Sequence, residues 1–135
     1  MGNYLSSEEK EELLAKTTAF LEERSPAVFA YVFGSFLGDE TFNDIDIALY
    51  MEDHGGKDIL ELERGLEGLL GMEVEMNRLN TAPLSFAFRV IKEGRLIFSR
   101  DESRRCDFEE RTRVLYFDFL PYYQRYYKEV ILGQR

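Results

Sequence analysis

The chain has one cysteine, Cys106, one histidine, His54, and no tryptophan. A lone cysteine excludes an internal disulfide, which suits a reducing, intracellular setting. A lone histidine excludes a His-rich zinc centre or a His-based triad built by this chain unaided. His54 lies in Glu52-Asp53-His54-Gly55-Gly56, which reads as a solvated loop. Gly55-Gly56 lacks the lysine and the spacing of a Walker phosphate loop, so it reads as a flexible break. Basic residues are also scarce: 17 Lys+Arg stand against 26 Asp+Glu, a formal net charge of −9. That balance argues against direct binding of DNA or RNA over a broad surface. It leaves open a nucleotide held through a metal ion, and it suits a partner with a basic surface. No apolar run approaches the roughly 20 residues of a membrane span. No signal peptide opens the chain, so a cytoplasmic location is expected. No internal repeat is visible.

What is present is enough for one core. The 135 residues are 44% apolar, so a single domain spanning 1–135 is expected. Residues 6 to 24 read as a helix, with Ser6 and Glu9 as a capping box and Leu13, Leu14, Thr17, Phe20 and Leu21 on one stripe. Ser25-Pro26 ends it. The apolar run 27–33 reads as a strand covered on both faces. Residues 44–51 read as a second strand. Residues 57–70 read as a helix with Ile59, Leu62, Leu66 and Leu69 inward and Glu61, Glu63, Arg64 and Glu67 outward. Gly71 is its stop. Met72 to Leu79 alternates as a strand with one apolar face. Pro83 suits the first position of a further helix, and Leu96-Ile97-Phe98 is a short strand. From 104 to 131 the pattern is helical and rich in aromatics. Pro121 is expected to kink or restart that helix. Most of its stripe (Phe108, Leu115, Phe119, Tyr122, Tyr123, Tyr126, Tyr127, Val130) is expected to pack as core, with some tyrosines left for a partner surface. The fold class is therefore α+β, a mixed sheet flanked by helices.

The chemistry concentrates between Tyr31 and Tyr50. An apolar run stops at Gly34-Ser35, a short polar connection follows, and a second apolar run begins with Asp44-Ile45-Asp46. In a strand the two aspartates share a face, roughly 7 Å apart at the backbone, while Ile45, Ile47 and Leu49 point to the other. Paired carboxylates at the head of a buried strand call for a positive counter-charge. Hard oxygen ligands suit magnesium, which keeps positions open for substrate phosphates. A calcium loop fails: counting from Asp44, the sixth position is Leu49 and the twelfth is Gly55, where Gly and Glu are required. Gly34 lets a phosphate approach the backbone, and Ser35 offers a hydroxyl and an N–H. A phosphate cradle beside a metal cradle is the composition of a nucleoside triphosphate site. On the strand 72–79, Glu73 and Glu75 share the polar face, and either can complete a metal site.

Gly34-Ser35-Phe36 followed by Asp44-Ile45-Asp46 resembles the signature of the polymerase-β-type nucleotidyltransferases. Within them the chain is similar to the minimal nucleotidyltransferases, the MntA-like antitoxins paired with HEPN toxins. The segment from Thr81 to Asp101 resembles the corresponding part of those proteins. The resemblance implies a polymerase-β-like fold, a core over 1–101 and a C-terminal helical tail over 102–135 that takes part in toxin pairing. It implies transfer of AMP from ATP, with one or two magnesium ions held by Asp44, Asp46 and a third carboxylate. Glu75 falls on the family's third position, with Glu73 as the competitor. The family usually has Asp there, and it often has an Arg shortly after the Gly-Ser pair, where Leu37-Gly38-Asp39 stands here. The implied acceptor is a tyrosine hydroxyl of a HEPN ribonuclease toxin. Three alternatives stay open: an antitoxin with a decayed site that acts by binding alone, a small-molecule transferase such as one acting on aminoglycosides, and either a homo- or a hetero-oligomer.

Overall fold

The computed structural model describes residues 4–38, 41–52 and 59–133. The expected roles of His54, Gly55-Gly56, Asp39 and the start of the helix at 57–58 lie outside these residues. The first helix, α1 (Ser7–Arg24), begins on the expected capping box. The Glu9 N–H donates to Ser6 Oγ at 3.2 Å and the Ser6 N–H to Glu9 Oε1 at 3.1 Å. β1 (Phe29–Phe33) is buried along its whole length and runs into a 3-10 turn (Gly34–Leu37). Then come β2 (Asp44–Tyr50), α2 (Ile59–Leu70), β3 (Glu73–Arg78), α3 (Leu84–Glu93), β4 (Arg95–Ser99) and α4 (Glu102–Tyr126). Gly71 stops α2 at φ 72°, as its position predicts. Pro83 sits one residue before the helix it was expected to open, in the capping position.

The four strands lie in the order β3-β2-β1-β4. β1 pairs antiparallel with both β2 and β4, while β2 and β3 run parallel, so the sheet is mixed. Strict alternation sends β1 and β2 side chains to two cores. On one face Ala30, Val32, Ile45, Ile47 and Leu49 pack with Leu14 and Leu21 of α1 and Leu62 and Leu66 of α2. On the other, Phe29, Tyr31, Phe33 and Ala48 pack with Ala87 and Val90 of α3 and Phe108 of α4. Tyr31 donates its hydroxyl to Glu109, which also accepts from Arg105 at 2.6 Å, so the root of α4 is tied to the middle of the sheet.

Four expectations need correction. Leu69 is half exposed: it lines a groove between α1 and α2, while the neighbouring Leu70 packs against the core. Glu63 and Glu67 do not simply face water. β3 is an edge strand, and Glu63 accepts the Met76 N–H at 2.8 Å while Glu67 accepts the Val74 N–H at 3.1 Å. Two backbone donors that would otherwise need water or another strand are thereby satisfied. α4 does not restart at Pro121, which lies inside it. The missing N–H removes one bond, and its carbonyl partner lies on an exposed helix where water can replace it. The helix widens to a π-turn later, over Tyr127–Ile131. Finally, most of the aromatic stripe of α4 is not core. Phe108 packs inward, but Phe119, Tyr122, Tyr123, Tyr126, Tyr127 and Val130 are exposed. Among the described residues, neither buried cluster of the sheet includes these side chains.

Candidate active site

The head of β2 and the end of β1 meet because the two strands are antiparallel neighbours. Phe33 stands opposite Asp46, so Gly34 emerges beside the Asp46 carboxylate. Gly34 has φ 83°, in the left-handed region, and a Cβ built there would overlap Asp46 Oδ2. Glycine is required twice over at this point, by backbone conformation and by close approach. The turn that follows is short and tight, with the Gly38 N–H bonded to the Ser35 carbonyl at 3.0 Å. Gly34 and Ser35 are both exposed.

The parallel register of β2 and β3 sets Asp44 opposite Glu73 and Asp46 opposite Glu75. All four side chains therefore project from one face. Carboxylate oxygens of Asp44, Asp46 and Glu75 lie within 4.8 Å of one another. Glu73 does not enter that group. The two aspartates are half-buried and Glu75 is exposed. Crowding shows in the Asp46 carboxyl, which is pushed up to about 6. Burial is the first cause, followed by the charges of Asp44 and Glu75 and a hydrogen bond to Glu75. The Arg89 guanidinium on α3 pulls the other way.

The expected residues thus fall together: Gly34 and Ser35 on the turn, Asp44 and Asp46 on β2, and Glu75 on β3. Sequence reasoning assigned no role to Arg89. It lies one helical turn beyond Phe86, whose ring meets Phe33 edge-on at 5.5 Å, and its charge is felt by the Asp46 carboxyl. Nor did the sequence indicate the supports, Glu63 and Glu67 behind β3. Chemically, three clustered oxygen donors suit a hard divalent ion, and the adjoining turn offers backbone N–H groups to an anion. Among the described residues, no helix is long and apolar enough to cross a membrane.

No curated protein sequence matches the chain. Among solved structures, the fold is similar to a chain of the toxin–antitoxin MntA–HepT, with a TM-score of 0.71 and 21% identity over 90% of this chain and 98% of that one. It is similar to a chain in the complex of a tri-AMPylated Shewanella oneidensis HEPN toxin with an MNT antitoxin, at TM-score 0.73 and 22% identity over 90% and 98%. A toxin–antitoxin structure with AMP-PNP gives TM-score 0.73 and 23% identity over 87% and 98%. These likenesses establish the fold. The family model described as polymerase beta, nucleotidyltransferase matches residues 15–103, which span β1, the Gly34 turn, β2 and β3. The chain belongs to the polymerase beta nucleotidyltransferase family.

Proposed function

We propose that this chain is an antitoxin-type nucleotidyltransferase that transfers AMP from ATP to a tyrosine hydroxyl of a HEPN ribonuclease toxin and so silences it. The observation that carries the proposal is the carboxylate trio of Asp44, Asp46 and Glu75 beside the Gly34 turn. The donor set fits magnesium: all three ligands are hard oxygens, and the raised Asp46 carboxyl marks excess negative charge that a divalent ion relieves. One or two magnesium ions held by these three residues supply neutralisation of phosphate charge. Gly34 and Ser35 hold the phosphates through backbone N–H groups and the Ser35 hydroxyl. In the transfer, the acceptor oxygen bonds to the α-phosphorus, the bond to pyrophosphate breaks, and the hydroxyl proton passes to a carboxylate. Glu75 fits that base role because it is the exposed member of the trio. Arg89 adds positive charge on the side of α3. Residues 1–135 act as one nucleotidyltransferase domain in the cytoplasm, with the tail 102–135 offering its exposed aromatic face to the toxin. The likeness, at 21% and 22% identity, to chains from an MntA–HepT structure and an MNT–HEPN complex supports the choice of partner.

A second reading is an antitoxin that neutralises by binding alone. Glu75 favours it, since a side chain one methylene longer than the family's usual Asp shifts the reacting geometry, and a misplacement of about 1 Å can lower a rate by about 100-fold. Intact-mass spectrometry separates the two. The protein is mixed with its HEPN partner, ATP and magnesium, beside an Asp44→Ala/Asp46→Ala control. A gain of one or more AMP groups on the partner, absent from the control, is expected. A stable complex with no gain supports binding alone.

A further inference from the structure

The pairing of β1 with β2 sets Gly34 beside Asp46, and the rest of the turn, Ser35 to Gly38, leaves that point toward α1. Three points between β1 and β2 converge on one side chain from another element. Lys10, at the end of the first turn of α1, donates from Nζ to the Gly38 carbonyl at 2.6 Å. The same ammonium sits over the Phe36 ring at 5.4 Å and over the Phe42 ring at 5.2 Å. Phe36 lies in the turn and Phe42 lies two residues before Asp44. Both rings are fully buried and meet edge-on at 4.9 Å. Phe36 and Leu37 anchor the turn to the core, while Gly38 lies exposed beside an open cavity of about 340 Å³ that Lys10 also lines, and the Lys10 contact ties the end of the turn to α1. A cation over two ring faces that also donates to a carbonyl is a directional clamp.

We infer that Lys10 is a positioning residue for the nucleotide site: it fixes the Ser35–Gly38 backbone relative to Asp44 and Asp46 by clamping Phe36, Gly38 and Phe42 together. It acts through the turn, by its bond to the Gly38 carbonyl and its position over the two rings. This rests on the nucleotidyltransferase reading above. Its consequence is specific. The backbone N–H groups of the turn are preorganised for the triphosphate, so loss of the clamp weakens ATP binding and leaves the step at the carboxylates intact.

The test compares wild type with Lys10→Met, which keeps the apolar stem and removes the charge and the donor, and with Lys10→Arg, which keeps both. ATP–magnesium affinity and the KM and kcat of AMP transfer are measured on the full chain with its partner. Hydrogen exchange at the amides of residues 35–38 is followed without nucleotide. Lys10→Met is expected to raise Kd and KM on the order of tenfold, with kcat within about twofold. Exchange at those amides speeds up, and Lys10→Arg recovers most of each effect. Unchanged KM and unchanged exchange in Lys10→Met overturn the inference while leaving the function standing. A fall in melting temperature with no change in KM also overturns it, since that is a merely structural role. A wild type that neither binds ATP nor transfers AMP, with the turn equally protected in all three proteins, overturns both.

Discussion

The two ends of this molecule use the same residue types to opposite effect. In β1, Phe29, Ala30, Tyr31, Val32 and Phe33 are all buried, because α1 and α2 cover one face of the sheet and α3 and α4 the other. In the distal half of α4 and the π-turn that follows it, Val114, Phe117, Tyr122, Tyr126, Tyr127 and Ile131 are each more than half exposed. Phe88 of α3 still stacks on Tyr116 at 3.9 Å and meets Phe117 at 5.5 Å. Beyond them the ring contacts among the described residues, Phe119 with Tyr122 and Tyr123, are internal to α4. Burial here is decided by which neighbours exist, since both segments are rich in aromatics. The first segment builds the platform that carries the clustered carboxylates, and the second presents an apolar face that most of the sheet and helices leave uncovered.

The sharpest way to break that contrast is to strip the platform of its charges. Asp44→Asn/Asp46→Asn is expected to lower AMP transfer by at least about 1,000-fold while the fold survives, since both carboxylates only line the rim of a core built by Ile45, Ile47 and Leu49. Intact-mass kinetics read the loss. A thermal melt with and without magnesium reads the disappearance of metal-dependent stabilisation. Substitutions in the tail, such as Tyr122→Ser/Tyr126→Ser, are expected to leave that magnesium response unchanged and to weaken capture of the HEPN partner.

Stability divides the two regions next. Phe29 is fully buried, stacks on Tyr50 at 4.8 Å and touches Phe108 at 5.6 Å. Phe29→Ala is expected to destabilise the protein by about 3–5 kcal/mol in urea melts. Ile131→Ala, at 58% exposure on the last turn, is expected to change stability by less than about 0.5 kcal/mol. A loss of 2 kcal/mol or more on the order of a core change at Ile131 would mean the tail packs on something in the free protein, and the contrast would fail.

A finer cut comes from two glycines. Gly34 and Gly71 both sit at positive φ, 83° and 72°. At Gly71 an added Cβ meets nothing within 4 Å, whereas at Gly34 it meets the Asp46 carboxylate. Gly71→Ala is expected to destabilise by about 1 kcal/mol through backbone strain alone. Gly34→Ala is expected to go beyond that by about 1–2 kcal/mol and to impair magnesium binding as well. Equal effects in both assays would show that Asp46 yields easily to the intruding methyl.

The sheet and the meeting of the candidate site residues were largely legible in the sequence because they obey local rules. Alternation in Asp44-Ile45-Asp46-Ile47 is enough to divide carboxylates from core, and Gly34-Ser35 at the end of an apolar run is enough to place the turn. The choice between Glu73 and Glu75 is a matter of register: the pairing of Asp46 with Glu75 is a relation between strands that no single segment contains. The same limit hid Glu63 and Glu67, which satisfy the edge of β3 from α2, and Lys10, which reaches 28 residues along the chain. The tail was misjudged for a related reason. Helical spacing of Phe119, Tyr122, Tyr123 and Tyr126 describes a face, and it says nothing about whether another element covers that face.

The smallest expected effect tests whether the platform carries an electrostatic burden that the tail does not. In the protein without metal, burial and the charges of Asp44 and Glu75 raise the Asp46 carboxyl to about 6, above the usual 3.8. The folded state therefore holds a proton on Asp46 that the unfolded chain has already released. Its favourable contribution is complete below the unfolded value, and stability declines as pH rises through about 6. Asp46→Asn removes the titration, so its melting temperature is expected to match wild type near pH 4 and to exceed it at pH 7.5 when magnesium is absent. Adding magnesium at pH 7.5 should reverse the order, because wild type gains a ligand-bound state and the variant loses an oxygen donor. If the two proteins instead keep one constant difference across pH, the three carboxylates do not feel one another. The clustering that unites the site would then carry no charge coupling.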